Sequence, residues 1–166
     1  MKKTHIILLI YILIGVILLG VLNAVYPINF FGYCQTLDMA RFASDEYPDH
    51  ATAICTVEKP DRFLDFVISE DGQLYILTFD RRNFIGGERY KCEQWSRSDL
   101  RLKIKQMQAS YDKNGVPEWE NSRILLGEYE PVYWTILESS FEMQENAKAF
   151  PLVFNETEYT LYIKSE

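Results

Sequence analysis

FLDFVIS (63–69), EDG (70–72) and QLYILTF (73–79) form the stretch on which the fold of this 166-residue chain turns. Two runs rich in aromatic and β-branched residues flank Asp71 and Gly72, a pair suited to a tight turn that needs positive φ. The stretch therefore predicts a β-hairpin. Upstream, Ala51 to Val57 is a third β-rich run, and Lys59, Pro60 and Asp61 mark the turn that joins it to the hairpin. Downstream, Asn83 to Gly87 reads as a loop in which Gly86 and Gly87 offer another turn before the strand-like Glu88 to Trp95.

Farther from the hairpin the pattern continues. Val132 to Leu137 reads as a strand, and Leu152 to Phe154 with Tyr159 to Ile163 reads as a closing hairpin around Asn155 and Glu156. Thr36 before Leu37, Ala40 and Arg41 predicts a short capped helix, ended by Pro48, and Phe141 to Ala149 a helical turn. Ser98 to Tyr111 fits two periods. Leu100, Ile104, Met107 and Tyr111 keep helical spacing, whereas Leu100, Leu102 and Ile104 alternate and shift phase at Met107 as a bulged strand would. Its strand-like neighbours favour the bulged strand. The expected fold is mainly β: one N-terminal transmembrane helix, then a small antiparallel sandwich or partly open barrel, with an α+β arrangement carrying one or two short helices as the alternative.

The transmembrane expectation rests on the start of the chain. Lys2 and Lys3 precede an uncharged apolar run from Ile6 to Leu22. As a helix, the residues from Ile6 to Tyr26 would span roughly 30 Å, the thickness of a bilayer's hydrocarbon core. A cleaved secretory signal is the alternative, but the run exceeds the usual apolar core of such signals, and Leu22 stands where a cleavage site before Val25 would want a small residue. The organisation expected is an anchor over residues 1–26, which meets the lipid bilayer through residues 6–26, and an extracytoplasmic β-rich domain over residues 27–166. The lysines precede the span and the first basic residue after it is Arg41, so the N-terminus is expected in the cytoplasm and the domain outside. Tyr26, Phe30, Phe31 and Tyr33 suit the bilayer interface or the start of the core.

The outer part carries all 24 acidic residues and 15 of the 17 basic ones, a net charge of −9. Such a surface disfavours nucleic acid, whose backbone rewards clustered Lys and Arg. The charge is uneven: Arg81 to Lys105 holds eight basic residues against three acids. Within it Arg81, Arg82, Arg89, Lys91, Arg101, Lys103 and Lys105 form a candidate patch for anionic headgroups or an anionic envelope polymer. The plainer interpretation is that these residues alternate on exposed faces and neutralise the acidic remainder.

Three cysteines in a compartment that permits oxidation allow one disulfide, and Cys55 with Cys92 is the candidate pair, each in a strand-like run. No C-x-x-C is present. Catalytic signatures are sparse: His50 is the one histidine after residue 26, and no G-x-S-x-G supplies a nucleophile. Asp45, Glu46 and Asp49 beside His50 make a loop of local acid density that motivates a calcium hypothesis. Trp95, Trp119 and Trp134 are expected in the core of a compact β domain. No cofactor is implied. The functional expectation is a non-catalytic binding or assembly module at the cell envelope, with an unidentified protein or polymer partner. A membrane-tethered or secreted envelope hydrolase using His50, and an accessory subunit of a membrane complex, are the alternatives.

Overall fold

The computed structural model describes residues 3–25, 32–84, 86–121, 131–141 and 146–165. Its elements run α1 (Lys3–Val25), α2 (Leu37–Phe42), β1 (Thr52–Lys59), β2 (Arg62–Ile68), β3 (Gln73–Phe84), β4 (Gly87–Asp99), α3 (Leu100–Asn114), β5 (Glu120–Asn121), β6 (Val132–Glu138), β7 (Lys148–Phe154) and β8 (Thr157–Ser165). The strands form two antiparallel sheets, ordered β1-β2-β3-β4 and β5-β6-β8-β7. They stack as an open sandwich.

Alternation in β2 and β3 explains why both faces of the first sheet are covered. Leu64, Phe66, Leu74 and Ile76 enter the larger core, with Val132, Trp134, Ile136, Leu161 and Ile163 from the second sheet. Val67, Leu77 and Phe79 point the other way and pack with Cys34, Leu37, Ala40 and Tyr47 from the segment around α2. Thr36 caps that helix, accepting from the Met39 amide at 3.2 Å, as its position in the sequence predicts.

The segment after Ser98 departs from the bulged-strand expectation. β4 ends at Asp99, which caps α3 by accepting from the Leu102 amide at 2.9 Å, and Gly115 closes the helix in the left-handed conformation. Leu100, Ile104 and Met107 are buried, whereas Leu102, which alternation would bury, is 59% exposed. Once capped, this segment gains a continuous apolar face only as a helix. The helix closes the side of the sandwich beside β6, where the Ile136 amide reaches the Met107 sulfur at 3.1 Å. β5 pairs only with Tyr133 and Trp134 of β6, and the helix covers that strand's edge beyond them.

Both expected hairpins form, with different turns. At Glu70–Gly72 the loop has three residues: the Gly72 amide donates to the Ser69 carbonyl, the Ser69 amide donates to the Gln73 carbonyl, and only Gly72 has positive φ, at 78°. This is the loop in which glycine supplies the left-handed residue after a type I turn. A Cβ on Gly72 would lie 3.0 Å from the Phe154 ring, so packing also demands glycine. Between β7 and β8 the two-residue turn places Asn155 at φ 50° and Glu156 at φ 62°, a type I′ geometry that glycine favours at the second position. The expected helical turn at Phe141 to Ala149 lies partly outside the described residues; from Lys148 onward it is strand β7.

These turns give opposite predictions. Glu156→Gly relieves a left-handed non-glycine residue and is expected to raise unfolding stability by about 1 kcal/mol. Gly72→Ala is expected to lower it by about 2 kcal/mol or more, from backbone strain plus the clash with Phe154. Urea unfolding of the full-length variants beside wild type checks both.

Candidate functional site

Strand register places the two cysteines proposed for a bridge. Cys55 lies on edge strand β1 opposite Phe66 and packs against the larger core; Cys92 lies on edge strand β4 opposite Phe79 and packs against the smaller one. Three strand spacings, roughly 14 Å, separate β1 from β4, and the two side chains serve opposite faces. Disulfide geometry needs Cα atoms within about 7 Å, so the pair is not bonded, and no disulfide joins any two of Cys34, Cys55 and Cys92. Burial, aided by the Asp65 charge, pushes the Cys55 thiol up to about 12. Burial likewise raises Cys92. Both are thereby held as thiols, the unreactive form.

The basic segment is divided by the junction of β4 with α3. Arg81 turns to the smaller core's side, over the Phe63 ring, where it pairs with Glu58 at 2.9 Å and donates to the Pro60 carbonyl. Arg82 pairs with Asp80 at 2.7 Å, and Lys91 lies over the Tyr33 ring. Arg89 donates to the Glu88 carbonyl. Lys103 bonds Glu120 and approaches the Trp134 ring, while Arg101 and Lys105 line a groove between α3 and the β7–β8 turn. These seven cations, drawn from one stretch of the sequence, thus serve at least three separate places. Only Arg82, Arg89 and Lys91 share one face, by strand alternation and the Arg82–Arg89 and Asp80–Lys91 register.

Two carboxylates that sequence reasoning passed over are the most buried charges in the fold. Asp65 is 1% exposed and accepts from Arg41 Nε at 2.6 Å, Arg41 Nη2 at 2.9 Å and the Thr56 hydroxyl at 2.7 Å. The bond to Asp65 also raises the Arg41 guanidinium above its ordinary range. Asp80 accepts from the Tyr33 hydroxyl and from Arg82 Nε. Burial, then the bond to Asp80, pushes the Tyr33 phenol up to about 12. A lone acid inside the apolar run FLDFVI was the available signal for Asp65. Its partner, 24 residues away, had none. Tyr33 belongs to the core, and the other expected interface aromatics, Tyr26, Phe30 and Phe31, lie outside the described residues.

Among the described residues, two grooves bear on the candidate sites. The first, about 410 Å³, has Arg101, Lys105, Asp112 and Glu138 around Ile104, Phe154 and Tyr159, so both signs of charge ring an apolar floor. The second, about 480 Å³, lies where edge strands β1 and β7 meet and includes His50, Ser69 and Glu70 beside Ile54, Ile68 and Leu152. His50, the base that a hydrolase reading would use, lines this groove. A hydrolase built on His50 would need a hydroxyl that hydrogen-bonds to it. The Ser69 hydroxyl donates to Asp71 and accepts from the Gln73 amide at 3.2 Å, so the side chain is engaged in the hairpin turn.

Comparison of the chain with protein-family models, curated proteins and solved structures found no match.

In the acidic loop Glu46 accepts from the Ser44 hydroxyl at 3.0 Å, and among the described residues no group of three His, Cys, Asp or Glu side chains is gathered. Of the expected core tryptophans, Trp134 is buried against Phe66. Trp95 is not: it is 47% exposed and stacks on Tyr75 at 6.5 Å.

Thiol titration checks the cysteine assignment. Denatured protein, never exposed to reductant, is expected to react at all three cysteines. A single reactive thiol would restore the bridge.

Proposed function

We propose that this chain is a single-pass membrane protein with a cytoplasmic N-terminus, whose outer β-rich domain is a non-catalytic binding or assembly module at the cell envelope. The observation that carries the reading is α1. Its window His5–Leu22 has mean hydropathy 2.9 and none of it is buried against the rest of the chain. A helix apolar all round finds in lipid the cover that the sandwich, complete without it, does not give. Lys2 and Lys3 before the span, with no basic residue after it until Arg41, support the orientation.

Two features support binding rather than catalysis. The buried carboxylates, Asp65 and Asp80, are consumed by structural partners, and the Ser69 hydroxyl in the groove that His50 lines is engaged by a turn. The groove between α3 and the β7–β8 turn offers a solvent-open surface with charges of both signs over an apolar floor. That chemistry suits a polypeptide segment of mixed charge better than a nucleic acid or a uniformly anionic polymer.

Intact-mass measurement on membrane and soluble fractions tests the anchor. Full-length protein confined to the membrane fraction is the expected outcome; soluble protein lacking α1 would replace the anchor by a cleaved signal. Crosslinking in native membranes tests the groove. Arg101→Glu combined with Lys105→Glu is expected to abolish the partner adduct that wild type forms while leaving membrane residence unchanged. Adduct formation undiminished by the pair would move the binding surface elsewhere.

A further inference from the structure

The far end of the β3–β4 hairpin carries three observations that converge on one occupant. The first is position. Cys34 forms a two-way backbone bridge with Tyr90, at 2.8 and 2.9 Å, so the chain entering the sandwich is fixed to this hairpin. Only seven residue steps separate Val25, the end of α1, from Gly32. Fully extended, they reach about 25 Å, less than the roughly 35 Å breadth of a domain of this size. A helix that ends at the bilayer surface therefore holds this end of the sandwich on the membrane side.

The second observation is charge. Arg82 and Arg89 are direct cross-strand partners, and Lys91 follows on the same face. Like charges placed directly opposite destabilise an antiparallel pair. Arg82 has Asp80 as a counter-charge, shared with Tyr33. Among the described residues Arg89 has none: its side chain bonds the Glu88 carbonyl. Of the other acids here, Glu88 accepts from the Tyr90 hydroxyl and lies by alternation on the opposite face, and Glu93, whose charge also reaches Arg82, pairs with Arg62 at 3.2 Å. The third observation is an apolar tip on the same face. Phe84, the last residue of β3, is 46% exposed while its ring meets Tyr33 edge-on at 5.2 Å. An exposed aromatic ring beside several cations is the chemistry of a membrane interface.

We infer that Phe84, Arg82, Arg89 and Lys91 form a second contact with the bilayer, binding the anionic phospholipid headgroups of the membrane that holds α1. The inference rests on the anchored reading above. Each cation near an anionic surface adds attraction that fades within a Debye length, so the contact orients the domain without needing to hold it. Tyr33 is the hinge of the device: it bonds Asp80, supports Phe84 and lies under Arg82 and Lys91.

The test reconstitutes the full-length chain into vesicles of phosphatidylcholine containing about one-third phosphatidylglycerol, with brominated acyl chains. Phe84→Trp reports the tip, and its emission is read as the difference from wild type. The expected result is that the added emission falls about twofold in these vesicles and recovers when Arg89→Glu and Lys91→Glu are introduced together. Arg89→Glu alone, which breaks no side-chain ion pair, gives a partial recovery and guards against misfolding of the double variant. Added emission that stays unquenched overturns the inference, as does quenching that survives the charge reversals. Vesicle flotation of the same samples separates the two readings: protein that floats with an unquenched tip retains the anchor and loses only the headgroup contact, whereas protein that fails to float loses the anchor.

Discussion

The bidentate grip of Arg41 on Asp65 is the constraint on which the arrangement of this molecule depends. A carboxylate in the middle of β2, almost without solvent access, is costly to bury unless a partner satisfies both its oxygens. Arg41 supplies the charge and Thr56, across from Asp65 on β1, the remaining hydrogen bond. The pair does not add much net stability, since desolvation offsets most of its attraction, but losing either partner leaves a charge buried alone and costs about 3 to 5 kcal/mol. Its consequence is positional. It sets α2 at one place on the sheet and, with it, the path of residues 32–51 over the face that Val67, Leu77 and Phe79 present.

From that path follows the relation of the sandwich to its N-terminal helix. The chain enters at Cys34 against β4, crosses the outer face of the first sheet through α2, and only then begins β1. The edge of β4 is thus tied to the entering segment, and α3 and the second sheet cover the opposite face. The distal half of the β3–β4 hairpin is left with Tyr33 and Asp80 as its support, and this is where Arg82, the half-buried Arg89 and Lys91, and the exposed Phe84 gather.

How far the sequence could be read depends on the range of the interactions concerned. Hairpins at Gly72 and at Asn155–Glu156 were legible because turn residues and alternating runs are local; even so, the three-residue loop at Glu70–Gly72 depends on Phe154 packing over Gly72 from the other sheet. Ser98 to Tyr111 was misread because Leu100 and Ile104 satisfy both periods, and the evidence that decides between them lies at the ends, in the Asp99 cap and the left-handed Gly115. Cys55 and Cys92 looked pairable because both lie in strands. Which edge and which face each occupies is a property of register, invisible until the order β1-β2-β3-β4 is known. The basic run from Arg81 to Lys105 looked like one patch because it is one stretch of chain, yet a strand reverses side at every residue and a helix begins at Leu100. Of the grooves nothing was legible, since Arg101 and Tyr159 meet only through tertiary packing.

A double-mutant cycle between Arg41 and Asp65 tests this account most directly, read by urea unfolding of the full-length protein in detergent micelles. Arg41→Met and Asp65→Leu each remove one charge, and the double variant removes both. If the pair is the constraint described, each single change is costly and the double far less so than their sum, with a coupling of about 2 kcal/mol or more. Additive losses, agreeing within about 0.5 kcal/mol, would show that α2 is held by its apolar contacts alone and would contradict the account.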